Sequence, residues 1–163
     1  MPKTEQEFKQ FLQGENINFE EQAKVFECPF LKRGVHKVDF KVTNDCGESL
    51  YIEVKGYLSY YSVNVLEYLL RYSREYFYVY QVTSEDWMGS PRGEQGGQDK
   101  IEQNTKIQQG EIRDFLRGKL SAKKIQRRSL KRLEAYKKLM AGYVERWHQM
   151  QKANKKGNQD DKR

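Results

Sequence analysis

The chain has few cysteines and no long apolar run, and each shortage excludes a class of protein. Two cysteines among 163 residues, Cys28 and Cys46, are too few for a disulfide-rich secreted scaffold, and their spacing is not that of a metal cluster. No apolar stretch approaches the ~20 residues that span a bilayer. The starting segment MPKTEQEF lacks the apolar stretch of a signal peptide. We therefore expect a cytoplasmic protein with no membrane partner and with reduced thiols.

Charge, by contrast, is abundant and unevenly distributed. Hydrophobic residues make up 37% of the chain and charged residues 33%, so the core is modest or part of the chain lies outside it. Residues 1–100 hold 12 Lys and Arg against 16 Asp and Glu, a net of −4, whereas residues 101–163 hold 18 against 7, a net of +11. Such a basic segment favours a polyanionic partner, most often nucleic acid. The alternative is a solvated helix face whose lysines only aid solubility.

The first half of the chain alternates between helical and strand patterns. Thr4 is expected to cap a helix over about residues 5–13, with Phe8, Phe11 and Leu12 as its apolar stripe. A turn is expected at 44–47, and a second helix from about 59 to 73. Residues 17–29 are expected to form an extended entry and a first strand, and further strands are expected at residues 35–43, 50–56 and 76–82.

The second half is predicted to be helical after a glycine-rich stretch. Helix resumes near residue 111, breaks at Gly118 and restarts after a cap at Ser121. Glycine and polar residues before it are typical of a flexible loop, and the polar, charged end of the chain is typical of disorder. The sequence thus predicts four segments: a core at 1–83, a flexible linker at 84–110, a basic helical extension at 111–151 and a disordered tail at 152–163.

The predicted extension carries two different surfaces. Apolar residues recur at intervals of three and four from Leu133 to Met150, which is typical of an interhelical seam. That seam, at residues 133–150, serves either packing on the core or a coiled-coil homodimer. The other surface is a crowd of cations, which we interpret as DNA phosphate contacts because like charges repel one another without a counter-surface. Its members are Lys123, Lys124, Arg127, Arg128, Lys131 and Arg132.

An aspartate and an acid-x-lysine pair occupy two consecutive predicted strands. Asp39 lies in VHKVDFKV, and Glu53 and Lys55 lie in LYIEVKGY. Glu53 and Lys55 project from one face of a strand, and Asp39 reaches that face if the two strands pair as a hairpin. Two carboxylates suit a hard cation such as Mg²⁺, which keeps several waters and accepts a substrate phosphate. The alternative is an exposed strand face with opposite charges.

The order helix, strand, strand with Asp39, strand with Glu53-Val54-Lys55, helix, strand resembles the PD-(D/E)XK nuclease superfamily. Restriction endonucleases and Holliday-junction resolvases belong to it. The similarity covers about residues 4–83 and includes a glycine after the lysine, although Val38 stands where the family name has proline. The resemblance implies an α/β fold with a restriction-endonuclease-like core, a mixed sheet flanked by helices, here with a basic helical C-terminal extension.

The resemblance also implies a role for each residue of the motif. Asp39 and Glu53 would bind Mg²⁺ or Mn²⁺, with the Val54 carbonyl as a further ligand. Lys55 would orient or activate the attacking water. These four residues would make the protein a metal-dependent DNA endonuclease of a phage or mobile element.

The first helix of the family commonly carries a glutamate. We assign that role to Glu5, which shares the face of Phe8 and Leu12, whereas Glu7 does not. Glu5 would bind the metal directly or through water. The alternative is an ordinary acid in a first helical turn, where the helix dipole favours it.

Four aromatic or imidazole side chains near the motif carry weaker signals. His36 could touch phosphate or act in acid–base work, but a lone strand histidine is more often structural. Tyr57, Tyr60 and Tyr61 could stack on bases or line the boundary of the core.

Two further functions remain open beside the endonuclease. In the first, residues 111–132 form a helix-turn-helix-like unit of a non-enzymatic DNA-binding protein, with Gly118 in the turn. In the second, the protein is a resolvase of branched DNA, dimeric through residues 133–150. Intact Glu53 and Lys55 favour catalysis over binding alone.

Overall fold

Four helices and six strands make up the described part of the chain, which is residues 3–29, 31, 34–81 and 95–160 of a computed structural model. The helices are α1 (Lys3–Gly14), α2 (Tyr60–Tyr72), α3 (Gln95–Leu116) and α4 (Ala122–Asp160). The strands are β1 (Phe19–Glu21), β2 (Val25–Glu27), β3 (Val35–Lys37), β4 (Phe40–Thr43), β5 (Ser49–Lys55) and β6 (Phe77–Gln81). None of the helices in these ranges is long and apolar enough to cross a membrane.

The main sheet is mixed and has the strand order β1-β4-β5-β6. β4 pairs antiparallel with both β1 and β5, while β6 lies parallel to β5. The side chain of Asn44 accepts hydrogen bonds from the backbone N–H groups of Cys46 and Glu48, and Gly47 has a φ of +83°, which fixes the turn between β4 and β5. Helix α2 makes the crossover that parallel pairing of β5 and β6 requires. The fold is therefore α/β, with a mixed sheet flanked by helices, as expected.

Apolar side chains cover both faces of the sheet. Ile52 and its neighbours at every second position of β5 pack against α1 and α3, while Tyr51 points to α2 and the β2–β3 hairpin. The first face buries Phe8, Leu12, Phe40, Tyr80, Ile112 and Phe115. The second face buries Val63, Leu66, Leu70, Phe77, Leu133 and Tyr136. β5 is an interior strand with buried residues on both faces, and it carries Glu53 and Lys55.

The free edge of β6 is closed by polar side chains of the two C-terminal helices. The N–H groups of Phe77 and Val79 donate to the side chains of Gln126 and Ser129 in α4, at 2.7 and 2.8 Å. The Gln108 side chain of α3 accepts from the N–H of Gln81, the last residue of β6, at 2.8 Å and donates to the Gln81 carbonyl. These bonds replace the neighbouring strand that an open edge would otherwise recruit. Helices α3 and α4 therefore belong to the core instead of forming an appended extension.

Two predicted segments differ from the structure. α3 begins at Gln95, so residues 95–110 of the predicted linker are helical, and residues 84–94 lie outside the described residues. α4 continues to Asp160 through most of the predicted disordered tail, of which 161–163 lie outside the described residues. For α3, anchoring by Gln108 against the β6 edge outweighs the weak helix propensity of its glycines.

The predicted strand over 35–43 is divided into β3 and β4, and the predicted entry and strand over 17–29 form β1 and β2. β2 and β3 form a separate two-stranded sheet, whereas β1 and β4 join the main sheet. At the break between β3 and β4, the Val38 N–H donates to the Lys24 carbonyl at 3.0 Å, and the Asp39 carbonyl accepts from the Gln22 N–H at 2.7 Å. Asp39 therefore lies at the corner where the chain passes from one sheet to the other.

Candidate functional site

Asp39 and Glu53 lie beside each other at this corner of the main sheet. The β4–β5 register sets Phe40 opposite Ile52, so the preceding residue Asp39 is level with Glu53. The Val54 N–H donates to Asp39 Oδ2 at 2.9 Å. Asp39 is 9% exposed and Glu53 is 4% exposed. Antiparallel pairing thus brings together the two carboxylates that the sequence pattern singled out.

The surroundings of Asp39 disfavour its negative charge. The pKa of Asp39 rises to about 7. Burial is the largest cause, the charge of Glu53 is the next, and the charge of Glu5 adds to the rise. The hydrogen bond from the Val54 N–H opposes it. The Asp39 and Glu53 carboxyls are also within hydrogen-bonding reach of each other. Two buried carboxyls at this separation are poorly compatible with full ionisation unless a cation joins them.

Each oxygen of Glu53 has a nitrogen-bearing partner. Lys55 Nζ lies 3.5 Å from Glu53 Oε1, and His36 Nε2 lies 3.0 Å from Glu53 Oε2. When Glu53 is ionised its carboxylate accepts, so the His36 Nε2–H donates. The Lys55 side chain is the more open of the two, with 27% exposure against 16% for His36. The ammonium group is therefore held at the side of the site that is more open to solvent.

A structural role is expected for a lone strand histidine, yet His36 contacts Glu53. In an unbroken strand His36 and Asp39, three residues apart, would point to opposite faces. The break between β3 and β4 turns the chain and brings both side chains to Glu53. The interruption is a tertiary feature that strand periodicity does not reveal.

The start of α1 packs against the end of β5. Gly56 directly follows Lys55, and a Cβ atom at Gly56 would meet Thr4 Cγ2 at 2.9 Å. A side chain at this position would have to displace the first turn of α1. The glycine after the lysine thus permits the close approach of α1 to the site.

Of the two glutamates in the first turns of α1, Glu5 is the one near the carboxylates. Its charge contributes to the raised pKa of Asp39. Glu7 is 58% exposed and pairs with Lys3 at 3.9 Å. Phe8 is buried in the core, and the helical spacing from Phe8 back to Glu5 directs Glu5 to the sheet side.

The corner offers oxygen donors for a hard cation without forming a complete cage. Within the described ranges, no three or more histidine, cysteine, aspartate or glutamate side chains converge as a metal-binding group. Two carboxyls suffice for Mg²⁺ or Mn²⁺ when waters and substrate complete the shell. A bound cation would also relieve the acidic crowding that raises the pKa of Asp39. The residues present therefore fit a two-carboxylate site for a hard divalent cation.

Five of the six predicted DNA-contacting cations form an exposed surface on α4. The chain between Asp114 and Glu134 has no acidic residue. Ser121 Oγ accepts from the Lys124 N–H at 3.2 Å, which fixes the start of α4, and Ile125 is buried on the opposite side of the helix. We call this surface the basic face: Lys123, Lys124, Arg127, Arg128 and Lys131.

Arg132, the sixth cation, does not belong to the basic face. Its side chain is 15% exposed and pairs with Glu111 of α3, and its Nη1 lies 3.4 Å from Tyr78 Oη. Burial disfavours its charge, but Tyr78 and Glu111 outweigh burial and raise the pKa of Arg132. Arg132 is therefore a structural link between α3, α4 and the sheet, because its position on the helix lies at the margin of the buried stripe.

The apolar seam of α4 divides into two parts. Leu133, Tyr136 and Met140 are 0%, 2% and 8% exposed and pack with α2 and β6. Tyr143 and Trp147, further along the seam, are each 51% exposed. Packing on the core accounts for the first part of the seam, and the second part remains accessible.

Paired carboxyls, a lysine and a histidine thus meet at one corner of the sheet. Such a group can hold a cation, position a water and offset negative charge on a reacting phosphate. Comparison with protein-family models, curated proteins and solved structures found no match for this chain. Function therefore has to be inferred from the chemistry of the site.

Proposed function

We propose that this protein is a divalent-metal-dependent DNA endonuclease that hydrolyses phosphodiester bonds. The observation that carries the proposal is the pairing of the Asp39 and Glu53 carboxyls beside Lys55, whose ammonium is 3.5 Å from Glu53. The element order supports a restriction-endonuclease-like core, since the acid-x-lysine strand is central and is followed by a helix and a parallel strand.

Asp39 and Glu53 would hold Mg²⁺ or Mn²⁺ together with the Val54 carbonyl. Glu5 would contact the cation directly or through water. When bound, such a cation polarises the phosphate and lowers the pKa of a bound water.

Lys55 acts on the open side of the site. Its ammonium donates hydrogen bonds to the attacking water or to a phosphate oxygen and offsets the charge that develops there. Glu53 holds the ammonium in place through their ion pair. His36 fixes the other oxygen of Glu53, so the carboxylate cannot rotate freely.

The basic face supports DNA as the substrate because it is exposed and free of acidic neighbours in sequence. The basic face begins near the start of β5, because the N–H of Ala122, the residue before Lys123, lies 3.4 Å from Oε2 of Glu48, the residue before β5. Lys55 is at the other end of that strand. Seven strand residues span about 20 Å. A duplex of about six base pairs, at ~3.4 Å for each pair, would therefore reach from the start of the basic face to Lys55.

A cleavage assay tests the proposal. Purified protein would be incubated with Mg²⁺ or Mn²⁺ on linear duplex, single-stranded and four-way DNA, with EDTA as the metal-free control. We expect products only with metal, loss of cleavage in Lys55→Met, and normal cleavage in the matched variant Glu20→Gln, an exposed acid on β1. Equal cleavage by the wild type and Lys55→Met would refute the assignment. Preference for the four-way substrate would identify the enzyme as a branched-DNA resolvase.

A non-enzymatic DNA-binding protein is the second candidate, and the exposure of the basic face favours it. Here residues 111–132 would act as a helix-turn-helix-like unit, with Gly118, whose φ is +75°, in the turn between α3 and α4. The wild type would then bind DNA with a steep salt dependence and cut none of the three substrates.

A further inference from the structure

Helix α4 runs antiparallel to α2 towards the site end of β5. Glu134 pairs with Arg71 at 2.5 Å, and Lys137 pairs with Glu67, one turn nearer the start of α2, at 3.1 Å. The Tyr136 hydroxyl donates to the carbonyl of Leu58 at 3.2 Å. Leu58 follows Lys55 by three residues, so α4 is level with the candidate site from about Tyr136 onward.

The inward stripe of α4 continues beyond that point without cover from the described part of the chain. Every residue from 143 to 157 is exposed. Tyr143 and Trp147 lie on the same stripe as Tyr136 and Met140, because helical neighbours recur every three or four residues. At 1.5 Å per residue, Trp147 lies about 16 Å past Tyr136 along the helix axis.

A third exposed aromatic ring lies at the same end of the molecule. Tyr57 is 68% exposed and follows Lys55 by two residues. Tyr57 directly precedes Leu58, whose carbonyl accepts from the Tyr136 hydroxyl, so it lies at this end of α4. Burial raises the pKa of Tyr136, and Tyr57 adds to that rise. We call Tyr57, Tyr143 and Trp147 the aromatic surface.

Positive charge accompanies the aromatic surface on α4. Residues 141–157 contain one acid, Glu145, and four cations. At about 3.6 residues per turn, Arg146 and Lys155 flank the stripe, whereas Glu145, Lys152 and Lys156 lie on the far side of the helix. Exposed rings flanked by two cations suit unpaired nucleotides, since every base offers a face for stacking and the cations meet the phosphates. A second copy laid along the same stripe would instead bring like charges together, which opposes self-association.

We propose that the aromatic surface binds unpaired nucleotides that lead away from the scissile phosphate, so that the substrate is DNA with a single-stranded segment in preference to uninterrupted duplex. The inference rests on the proposed nuclease function and narrows its substrate class. The basic face, on the opposite side of α4, contacts phosphates of any DNA and supplies no such preference.

Trp147 fluorescence provides the test. The chain has two tryptophans, so Trp87→Phe leaves Trp147 as the reporter. This protein would be titrated, without added metal, with a single-stranded 20-mer, the matching duplex, and the duplex carrying a single-stranded tail. We expect the single strand and the tailed duplex to quench the emission and the plain duplex to leave it unchanged.

Substitution tests the same surface by affinity. Tyr143→Ala and Trp147→Ala should each weaken single-strand binding by on the order of tenfold, with duplex affinity unchanged. Tyr72→Ala is the matched control, because Tyr72 is 70% exposed but ends α2 on the side away from the site. All three residues are exposed, and circular dichroism checks that each variant is folded.

The possible outcomes separate this inference from the proposed function. Duplex binding and metal-dependent cleavage, with no response of Trp147 to single strands, would overturn the inference and leave the nuclease proposal standing. Absence of both binding and cleavage for every DNA would overturn both. Conversion of a dimer to a monomer by Trp147→Ala in sedimentation equilibrium, with unchanged single-strand affinity, would make the stripe a dimer contact and overturn the inference.

Discussion

Replacing Asp39 by asparagine should stabilise the fold while it abolishes cleavage. Burial and the charge of Glu53 raise the pKa of Asp39 from its ordinary value of 3.8 to about 7. One pKa unit corresponds to ~1.4 kcal/mol, so ionised Asp39 destabilises the folded state by at most ~4 kcal/mol. Solvent screening at the open side of the site reduces that ceiling, and we expect a gain of about 1–2 kcal/mol in the free energy of unfolding. The asparagine oxygen can still accept from the Val54 N–H.

The gain should depend on pH in a defined direction. Because the folded pKa lies above the unfolded one, the folded protein keeps a proton between about pH 4 and pH 7 that the unfolded chain has released. The stability of the wild type therefore falls as pH rises through this window. The difference between Asp39→Asn and the wild type should be near zero at pH 4 and complete by pH 8.

Urea unfolding at pH 5, 6.5 and 8, followed by circular dichroism in EDTA, measures this difference. Asp45→Asn, in the exposed turn after β4, is the matched control and should change little at any pH. Mg²⁺ should stabilise the wild type and have no effect on Asp39→Asn, because a ligand stabilises only the state that binds it. A variant that is less stable than the wild type at pH 8, or a difference that does not vary with pH, would refute the reasoning.

Three further predictions follow from the same contacts. Glu5→Gln should lower cleavage less than Glu53→Ala does, and Glu7→Gln should leave it unchanged; the reverse order in kinetic assays would show that the register of α1 is wrong. Arg132→Ala should destabilise the fold by about 3–5 kcal/mol in urea unfolding, because it leaves Glu111 buried without its partner; a loss of DNA affinity with normal stability would contradict this. Charge reversal of four residues of the basic face, Lys123, Lys124, Arg127 and Arg128, should weaken DNA binding and leave metal binding unchanged. It should flatten the slope of log affinity against log salt by up to about 3–4, at ~0.9 for each phosphate contact. Unaltered affinity and slope would show that these residues face no DNA.

The order of elements and the carboxylate pair could be predicted from the sequence because both depend on local pattern. The apolar run Leu50-Tyr51-Ile52 before Glu53 indicates a buried strand, and the turn residues after Thr43 indicate the hairpin that brings Asp39 to it. The face of α1 that carries Glu5 follows from helical spacing alone.

Features that depend on long-range contacts could not be predicted in the same way. Helix α3 owes its position to Gln108 at the edge of β6, which glycine content alone would not indicate. Arg132 resembles its basic neighbours in sequence, and only the approach of Glu111 from α3 distinguishes it. The contact between His36 and Glu53 required the break after β3, which joins two separate sheets.

The rate of DNA cleavage as a function of Mg²⁺ concentration tests the central claim most directly. Single-turnover rates would be compared for the wild type and Glu53→Gln, which keeps the size of the side chain and can still bond to His36. We predict a saturable dependence on Mg²⁺ for the wild type and a rate at least ~10²-fold lower for the variant, since it would lose the proposed metal ligand and the charged partner of Lys55. Cleavage that persists in EDTA, or equal rates for the two proteins, would contradict the assignment of Asp39, Glu53 and Lys55 as the catalytic site.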